Sequence, residues 1–503
     1  MALLEPGETC WRVEPAGRAA FLVDTLAYFN AAREAMASAK RSILLLGWGF
    51  DPRTRLQPDG FDGPDDPDEI GHVLLRLSKE RPDLDIRLLI WRSALPISAS
   101  QEFFPHRAQR WFRNSRVKFR LDDSVPFGAC HHQKVLVIDD RLAFCGGGDF
   151  GTDRWDTQAH LDQDSRRINP NHDYHPPRHE VMMMVDGAAA KALGDLARLR
   201  WRRATNETLE PLAEDAAEPD PWPQSVAADL TDVQVGIART APAWRDRPAV
   251  GEWRALALRC IAEAQRSLYM ENQYFTAPGI AEALARRLAE PDGPEIVLIS
   301  TEHSPSYFDR LTMDRTRSMV IRRLREADVF GRFRVFCPKT VGGNPIIVHA
   351  KVTIVDDRVV RIGSSNLNNR SGGFDTECEL AIEAQTPETA AAILGLRNHL
   401  VGHFLGRSGA DVANAIRDRG GLIDAIESLR HGVRLQPIEP DRLGPLARFI
   451  AAYHLCDPSG TWDTWRPFRR RRLLNDQVRA IAAGDVAKAL ETPSTSNSIT
   501  SGR

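Results

Sequence analysis

Short apolar runs alternate along the chain with longer stretches in which apolar residues recur at helical spacing. Val23 to Arg41 has helical spacing, and the run Ser42 to Trp48 that follows it is almost entirely apolar. A run with apolar residues on both faces is typical of a strand in the middle of a sheet. The alternation recurs as a helix at Glu69 to Lys79 and a strand at Leu84 to Trp91. The pattern therefore predicts an α/β fold.

The pattern of the first half restarts in the second half, at an offset of about 220 residues. Ala35 to Leu44 resembles Cys260 to Tyr269, and the predicted strand Glu180 to Val185 has its counterpart in Glu377 to Ile382. An Ala/Leu-rich helix follows each of the last two strands. A repeat of this extent predicts one α/β/α sandwich unit used twice in tandem, with the two copies packed about a pseudo-twofold axis.

Composition divides the chain into four parts. Residues 1–204 form the first half, and residues 228–406 form the second half. Residues 205–227 are acidic with several Pro and Ala, which is typical of a linker. Residues 407–503 lie outside the repeat and form a mostly helical extension. We expect its Ser/Thr-rich end, from Thr492 to Arg503, to be disordered.

Bulk composition is that of an ordinary globular protein. Of 503 residues, Lys+Arg account for 66 and Asp+Glu for 68, so the formal net charge of −2 demands no nucleic-acid partner. The N-terminus lacks a signal-peptide pattern, and no run of about 18 apolar residues occurs. The seven scattered cysteines fit reduced thiols. We expect a cytoplasmic monomer; secretion without a signal peptide stays open.

Each half contains one copy of a polar motif at the start of an apolar strand. His132 and Lys134 precede the strand in the first half, and His349 and Lys351 precede it in the second. An aspartate follows each lysine after five residues, and a glycine-rich turn follows each aspartate after seven. Because residues two apart on a strand share a face, each His and Lys pair points the same way.

These residue types point to phosphoryl transfer. Histidine can attack phosphorus or move a proton near neutral pH, and lysine supplies charge and donors for phosphate oxygens. Backbone N–H groups of a glycine-rich turn, with nearby hydroxyl and amide groups, can bind the same oxygens. Buried carboxylates at the start of the next strand can hold each imidazole in one tautomer. This chemistry requires no metal, so we expect neither a metal nor a cofactor.

The candidate site contains two sets of residues. The candidate catalytic residues are His132, Lys134, Asp139, Glu180, His349, Lys351, Asp356 and Glu377. The candidate substrate-binding residues are Gly147, Asp149, Ser364 and Asn366. Asp139 and Asp356 complete the motif, but an aspartate at a strand-to-turn junction is often structural. For these two we favour structural support over direct chemistry.

The doubled motif resembles that of the phospholipase D superfamily, from about residue 20 to about residue 405. That superfamily includes phospholipases, cardiolipin and phosphatidylserine synthases, and nucleases. Further segments are similar to the branch that contains the eukaryotic enzymes: Gly147 to Asp149, Arg154 to Asp156, His179 to Val181, Tyr269 to Phe275 and Asn366 to Ser371. The chain departs from the family where Asp149 replaces a common Asn and where Arg178 replaces a usual aromatic residue.

The resemblance implies a role for each residue of the site. His132 is the expected nucleophile, and His349 is expected to protonate the leaving alcohol and then to activate water or an acceptor alcohol. Across the pseudo-twofold axis, Glu377 would orient His132 and Glu180 would orient His349. The residues expected to hold the phosphoryl oxygens are Lys134, Lys351 and Asn366.

The resemblance implies hydrolysis of a glycerophospholipid such as phosphatidylcholine at a membrane surface, through a phosphohistidine, with transfer to alcohols as a second outcome. Three alternatives stay open: a cardiolipin-synthase-like phosphatidyltransferase, a nuclease or nucleotide phosphodiesterase, and a non-catalytic lipid-binding protein. The balanced charge disfavours the nuclease, and two complete motifs disfavour the non-catalytic protein. In the extension, the aromatic and arginine residues from Trp462 to Arg472 predict either a membrane contact or a basic turn packed on the core.

Overall fold

The computed structural model describes residues 2–59, 68–93, 104–213 and 219–491. Its strands are β1 Arg12–Val23, β2 Ser42–Gly47, β3 Asp85–Trp91, β4 Lys118–Asp122, β5 Val135–Ile138, β6 Leu142–Gly146, β7 Arg178–His179, β8 Val181–Asp186, β9 Leu230–Ala241, β10 Val250–Gly251, β11 Ser267–Glu271, β12 Glu295–Ile299, β13 Phe333–Pro338, β14 Ile347–Val348, β15 Val352–Val355, β16 Val359–Gly363, β17 Glu377–Glu383 and β18 Leu435–Pro437. The expected disorder of the last twelve residues falls outside the described residues.

Helices cover both faces of the sheet that these strands form. In the first half they span Thr25–Ser38, Ile70–Glu80, Pro105–Trp111 and Gly187–Thr205. In the second half they span Glu252–Glu263, Pro278–Ala289, Tyr307–Asp309, Arg315–Ala327, Asn369–Gly373 and Pro387–Leu405, with a π-helical turn at Arg310–Asp314. In the extension they span Gly409–Arg419, Leu422–Leu429, Pro445–Ala452, Pro467–Ala482 and Val486–Leu490. None of the described helices is both long and apolar enough to cross a bilayer.

One continuous sheet runs through the described part of both halves. Its strand order is β18-β13-β12-β11-β15-β16-β17-β9-β1-β8-β6-β5-β2-β3-β4, with β10 paired to β9. Outward from the centre, the first half reads β1-β8-β6-β5-β2-β3-β4 and the second reads β9-β17-β16-β15-β11-β12-β13. The two halves thus have one topology and are joined by the antiparallel pair β1–β9. The predicted duplicated α/β fold is confirmed.

The core has a shared layer between two outer layers. The shared layer contains Val137 of β5, Ile354 of β15, and apolar residues of the helices Gly187–Thr205 and Pro387–Leu405. Each outer layer belongs mainly to one half, beneath the helix Thr25–Ser38 or the helix Glu252–Glu263. Burial of apolar surface is the main stabilising term in folding. The shared layer therefore fixes the two halves, and the site between them, as one packed body.

The extension wraps the second half and reaches the site. Strand β18 adds to the sheet edge at β13. Asp457 accepts hydrogen bonds from the side chains of Thr276 and Asn369 and from the backbone N–H of Arg370. Because Asn369 and Arg370 follow Asn366 closely, the extension braces the turn on which that candidate residue lies.

Candidate active site

Short parallel pairings bring each motif histidine beside a strand start of the other half. Strand β14 pairs with β7 so that Val348 lies opposite His179, and the next residues are His349 and Glu180. The symmetric pairing is a single bridge between His131 and Thr376, the residues before His132 and Glu377. Parallel pairing at this register brings consecutive residues of the two segments side by side. The fold therefore delivers each histidine to a glutamate about 170–245 residues away along the chain.

Each imidazole contacts the glutamate of the opposite half through Nδ1. Nδ1 of His132 lies 2.9 Å from Oε2 of Glu377, and Nδ1 of His349 lies 2.6 Å from Oε2 of Glu180. A carboxylate at Nδ1 holds the proton there and leaves Nε2 to react, as in the histidine of a hydrolase triad. Both glutamates are buried, whereas both imidazoles keep a partly exposed edge. The structure thus brings these four predicted residues together as two equivalent pairs.

Two serines complete the environment of Glu377. The hydroxyl of Ser364 donates to Oε2 at 2.5 Å, and that of Ser371 donates to Oε1 at 2.6 Å. From the sequence, Ser364 was predicted to bind the phosphate. In the structure its hydroxyl holds the carboxylate of Glu377 in place, and the contact with phosphate stays a prediction. Ser371 was missed, and only its position in the segment Asn366 to Ser371 pointed to it.

The two motif lysines are anchored alike but differ in their neighbours. The ammonium of Lys134 donates to the backbone oxygen of His132 at 3.0 Å, and Lys351 donates to that of His349. Lys134 also forms an ion pair with Asp149 at 3.2 Å. The counterpart of Asp149 in the second half is Asn366, which is neutral and whose side-chain oxygen accepts no hydrogen bond from the described residues. The two lysines that the pseudo-twofold axis relates therefore differ in environment, because only Lys134 has a carboxylate at the position of Asp149.

Asp149 is tied to protein groups on both carboxylate oxygens. Its Oδ1 accepts from the backbone N–H groups of Trp48 and Gly49 at 2.9 and 3.1 Å, while Oδ2 faces Lys134. A carboxylate is also repelled by an anionic phosphate. In place of the predicted substrate contact, the structure gives Asp149 the role of holding Lys134 and the turn after β2.

Gly147 is required by close packing rather than by an oxyanion. A Cβ atom at this position would lie 2.4 Å from Oε1 of Glu180 and 2.9 Å from the backbone oxygen of His349. Any side chain would push apart the pair that Glu180 forms with His349. The predicted contribution of Gly147 to substrate binding is therefore indirect in this geometry.

Burial sets the protonation of the two pairs. Burial, and then Lys134 and Lys351, hold the pKa of His132 well below its usual value. Burial and Lys351 do the same to the pKa of His349. Burial also raises the pKa of Glu180 and of Glu377 to about 7 and lowers the pKa of Lys351 to about 7. The free site thus favours neutral imidazoles, which keeps a lone pair on Nε2 for attack on phosphorus. A bound phosphodiester anion would favour the protonated form of His349.

Asp139 and Asp356 lie at the other end of the motif strands and have one structural role. Asp139 accepts from the backbone N–H groups of residues 40, 41 and 42 at 2.7–2.8 Å. Asp356 accepts from those of residues 265, 266 and 267 at 2.7–2.8 Å. At about 3.3 Å per residue, five residues of strand put each carboxylate roughly 16 Å from its lysine. Both residues fix the turn between a helix and the next strand, which is the structural role favoured for them from the sequence.

A polar network that was not predicted from the sequence lies behind His349. His179 was noted only for its place in a family segment, yet its backbone oxygen accepts from the N–H groups of His349 and Ala350 at 2.9 and 3.2 Å. Its ring lies between two carboxylates, with Nδ1 2.8 Å from Asp24 and Nε2 2.9 Å from Glu271. Both carboxylates raise the pKa of His179 well above its usual value, although burial alone would lower it. Its two carboxylate contacts therefore fix the ring of His179 and support the segment carrying Glu180.

Comparison with known proteins agrees with this geometry. The profile of the family described as "Cardiolipin synthase, PLD-like domain" matches residues 257–396. Phospholipase D A of Dictyostelium discoideum is 24% identical over 420 residues, which cover 71% of this chain and 32% of that protein. Phospholipase D2 of Bos taurus is 21% identical over 490 residues, which cover 78% of this chain and 52% of that protein. The chain thus spans from about a third to about half of the length of these relatives.

A solved structure shares the fold. The crystal structure of the phosphatidylserine synthase of Haemophilus influenzae Rd KW20 superposes with a TM-score of 0.53 and 15% identity, over 82% of this chain and 95% of that one. Together with the doubled motif and the reciprocal histidine–glutamate pairs, these similarities support the phospholipase D superfamily as the family that this chain resembles.

Proposed function

We propose that the chain is a phospholipase D-type phosphodiesterase, which hydrolyses glycerophospholipids to phosphatidate and the free headgroup. The observation that carries this proposal is the pair of contacts His132–Glu377 and His349–Glu180, each made across the two halves. Two oriented imidazoles supply one nucleophile and one acid/base, and two buried lysines supply positive charge. Both are the requirements of a two-step displacement at a phosphodiester.

The first step forms a covalent intermediate. Nε2 of His132 attacks phosphorus, and the bond from phosphorus to the headgroup oxygen breaks. His349, protonated in the presence of the bound anion, transfers its Nε2 proton to the leaving alkoxide. Lys134 and Lys351 lie beside the developing charge on the phosphoryl oxygens, and Glu377 stabilises the cationic phosphohistidine at its Nδ1–H.

The second step returns the enzyme to its starting state. Neutral His349 removes a proton from water, and the water oxygen forms a bond to phosphorus as the bond to Nε2 of His132 breaks. An alcohol at the same position gives a transphosphatidylation product instead, because any nucleophile that reaches the intermediate can intercept it. The acceptor in the cell is therefore set by access to the site, and the catalytic groups serve both outcomes.

Exposed aromatic side chains close to the first motif support a lipid substrate. Phe127, five residues before His132, is 80% exposed, and its ring centroid lies 5.9 Å from that of Trp465, which is 74% exposed. Phe468, three residues further along the chain, is 70% exposed. Arg470, in contrast, is buried and donates to backbone oxygens of residues 463 and 464. The extension thus contains one buried arginine, which bonds to its backbone, and exposed aromatic groups of the kind that insert at a membrane interface.

A second candidate function is that of a cardiolipin-synthase-like phosphatidyltransferase, which is favoured by the description of the family profile over residues 257–396. It uses the same site with a lipid alcohol as the acceptor. The two functions differ only in what attacks the phosphohistidine, so product analysis separates them.

The test is mass spectrometry of products from the full chain with a total-lipid extract in mixed micelles, with and without ethanol. Phosphatidate and free headgroup, with phosphatidylethanol when ethanol is present, support the hydrolase; cardiolipin as the main product supports the transferase. His132→Ala is the matched inactive control. The proposal fails if wild type releases no headgroup or phosphatidate beyond the level of His132→Ala. Cleavage of single-stranded or duplex DNA at low salt, lost in His132→Ala, would favour the nuclease instead.

A further inference from the structure

A second cluster of ligand-type side chains lies behind the active site. Asp24 follows the end of β1, His160 lies in the loop after β6, and His403 is near the end of the helix Pro387–Leu405. The exposed fractions of the three side chains are between 1% and 4%. Three distant parts of the chain thus place a carboxylate and two imidazoles at one buried point, and the proposed mechanism uses none of them.

Three ligand atoms of the cluster form a nearly equilateral triangle. Nε2 of His160 lies 3.0 Å from Nε2 of His403, and Oδ2 of Asp24 lies 3.6 and 3.5 Å from these two nitrogens. A point equidistant from all three atoms and displaced slightly from their plane lies about 2.0–2.1 Å from each. Those are the bond lengths of Zn²⁺ to imidazole nitrogen and to a carboxylate oxygen. The spacing fits an ion held by three protein ligands.

The hydrogen bonds of His160 direct a lone pair into the triangle. Its Nδ1 lies 2.7 Å from Oδ2 of Asp156. That carboxylate is held by the guanidinium of Arg167 and by the backbone N–H groups of Thr157 and Arg178. In this position Asp156 accepts a hydrogen bond from the Nδ1–H of His160, which leaves the lone pair on Nε2 as a ligand. A carboxylate on the remote nitrogen is the usual support of a metal-binding histidine.

Asp24 presents a second lone-pair atom without a donor. Its Oδ1 lies 2.8 Å from Nδ1 of His179. Its Oδ2 accepts no hydrogen bond from any described residue, although the side chain is 99% buried. A buried acceptor without a donor destabilises the folded chain, and a charged acceptor does so more strongly. Something positive at the centre of the triangle removes that cost.

We infer that Asp24, His160 and His403 form a binding site for one divalent transition-metal ion, with Zn²⁺ as the best fit. Two imidazoles and one carboxylate oxygen are ligands that suit Zn²⁺ and its neighbours in the first row, whereas Ca²⁺ and Mg²⁺ prefer oxygen ligands alone. His179 is close by, but both its ring nitrogens contact carboxylates. It therefore orients Asp24 instead of ligating the ion.

The ion would have a positioning role. Through Asp24 it would fix His179, whose backbone oxygen holds the backbone of His349 and Ala350, and whose neighbour Glu180 orients the His349 ring. Through His403 it would clamp the helix Pro387–Leu405 to that segment. No metal was expected from the sequence, because the phosphoryl chemistry needs none. The metal site does not depend on the proposed activity, and its ligands lie outside the reacting groups.

The alternative occupant is a proton shared between His403, His160 and Asp24. Elemental analysis of the full chain distinguishes a shared proton from a bound metal. The chain is purified without affinity tags that bind metals and is then dialysed against trace Zn²⁺. His403→Gln and Asp24→Asn remove one ligand each. His399→Gln is the matched control, since it changes an exposed histidine one turn earlier on the same helix.

We expect about one Zn²⁺ per chain in wild type and His399→Gln, and less than roughly a tenth of that in the two ligand variants. A chelator should lower the melting temperature of wild type and His399→Gln by several degrees and leave that of His403→Gln unchanged. If a ligand variant does not fold, the visible spectrum of the Co²⁺-loaded wild type must show tetrahedral coordination with nitrogen ligands. The assignment is overturned if wild type retains none of Zn²⁺, Co²⁺, Mn²⁺ and Fe²⁺. It is also overturned if His403→Gln retains zinc at the wild-type level.

Discussion

Glu377 and His132 are 245 residues apart in sequence, yet Oε2 of the glutamate lies 2.9 Å from Nδ1 of the imidazole. The contact crosses from one half of the duplicated fold to the other. Its symmetry mate joins Glu180 to His349 at 2.6 Å. Each half therefore contributes the histidine of one pair and the carboxylate of the other. A single half has no oriented imidazole, which gives a physical reason for the two halves to share one core.

Glu377→Gln should abolish most activity while preserving the fold. The amide of glutamine can donate to Nδ1 of His132, which moves the ring proton to Nε2 and removes the nucleophilic lone pair. We expect kcat to fall by about 10³–10⁴-fold, the scale of the corresponding change in a hydrolase triad. The measurement is kcat with a soluble phosphodiester, together with the melting temperature. Glu388→Gln, the same change at an exposed helix start, should keep full activity; a loss below tenfold in Glu377→Gln would show that the carboxylate does not set the tautomer.

The roles of the two histidines should become distinguishable with a leaving group that needs no proton. With a p-nitrophenyl phosphodiester, His349→Ala should still release one burst of nitrophenol and then stall, since the acid is dispensable for the first step and the base is needed for the second. His132→Ala should give no burst. The intermediate is detected as a mass increase on the intact chain and mapped to His132. A burst in His132→Ala, or an adduct mapped to His349, would exchange the two roles.

Strands buried on both faces were predictable from the sequence. β5 is a continuous apolar run, β2 is apolar after Ser42, and β15 is apolar apart from Thr353; all three were expected where the structure has them. The duplication was visible because two strands with the same motif recur in the same context. β1 and β9 were not predicted, although they join the halves. β1 has mixed burial along its length and includes Pro15 and Gly17, so it presents no apolar run.

Some of the contacts between the two halves were predictable from the sequence, and others were not. The motif residues share a strand start, so the sequence places them together, and the family resemblance implied which glutamate serves which histidine. The roles of Asp24 and His403 could not be predicted because nothing in their spacing relates them to the motifs, and Ser371 was indicated only by its place in the segment Asn366 to Ser371. Their positions depend on the bridge between His131 and Thr376, the pairing of β7 with β14, and the packing of the helix Pro387–Leu405. These are tertiary features with no local pattern.

Asp139→Ala should destabilise the protein without disabling the site. It leaves three backbone N–H groups without their acceptor and puts alanine at a φ of +52°. We expect the free energy of unfolding to fall by about 1–3 kcal/mol and kcat to change by no more than a few-fold. Asp139→Asn keeps an acceptor and tolerates this backbone conformation, so its effect should be smaller. Denaturant titration and kcat measure the two effects, with the exposed Asp83→Ala as control; a loss of kcat in fully folded Asp139→Ala would restore this aspartate to the catalytic set.

The pH dependence of kcat/KM should be bell-shaped with its maximum near neutrality. Burial raises the pKa of Glu377 to about 7, so as pH rises this carboxyl ionises, binds the Nδ1–H of His132 and activates the site. Burial lowers the pKa of Lys351 to about 7, so a further rise in pH removes a positive charge needed by the phosphate. The two limbs are properties of the coupled site. Lys351→Arg keeps its charge and should abolish the alkaline limb, even if its maximal rate is lower.

The measurement is kcat/KM for a soluble diester between about pH 5 and pH 10. The acid limb should remain in Lys351→Arg, because Glu377 is unchanged. Lys118→Arg, which alters a lysine paired with Asp85 outside the site, should keep both limbs. An alkaline limb of unchanged position in Lys351→Arg would assign that limb to another group.

The exposed aromatic pair Phe127 and Trp465 should govern binding to membranes and leave the chemistry intact. Transfer of an exposed aromatic side chain into a membrane interface contributes roughly 1.5–3 kcal/mol, so replacing each by serine should weaken vesicle binding about tenfold or more. The test compares sedimentation with phosphatidylcholine vesicles and hydrolysis of a short-chain phospholipid below its micelle concentration. The double variant Phe127→Ser/Trp465→Ser should lose the first and keep the second. The matched control is Val329→Ser/Phe330→Ser, an exposed apolar pair before the start of β13, at the end of the sheet opposite His349. Equal loss of vesicle binding in both double variants would mean that the aromatic pair is not the membrane contact.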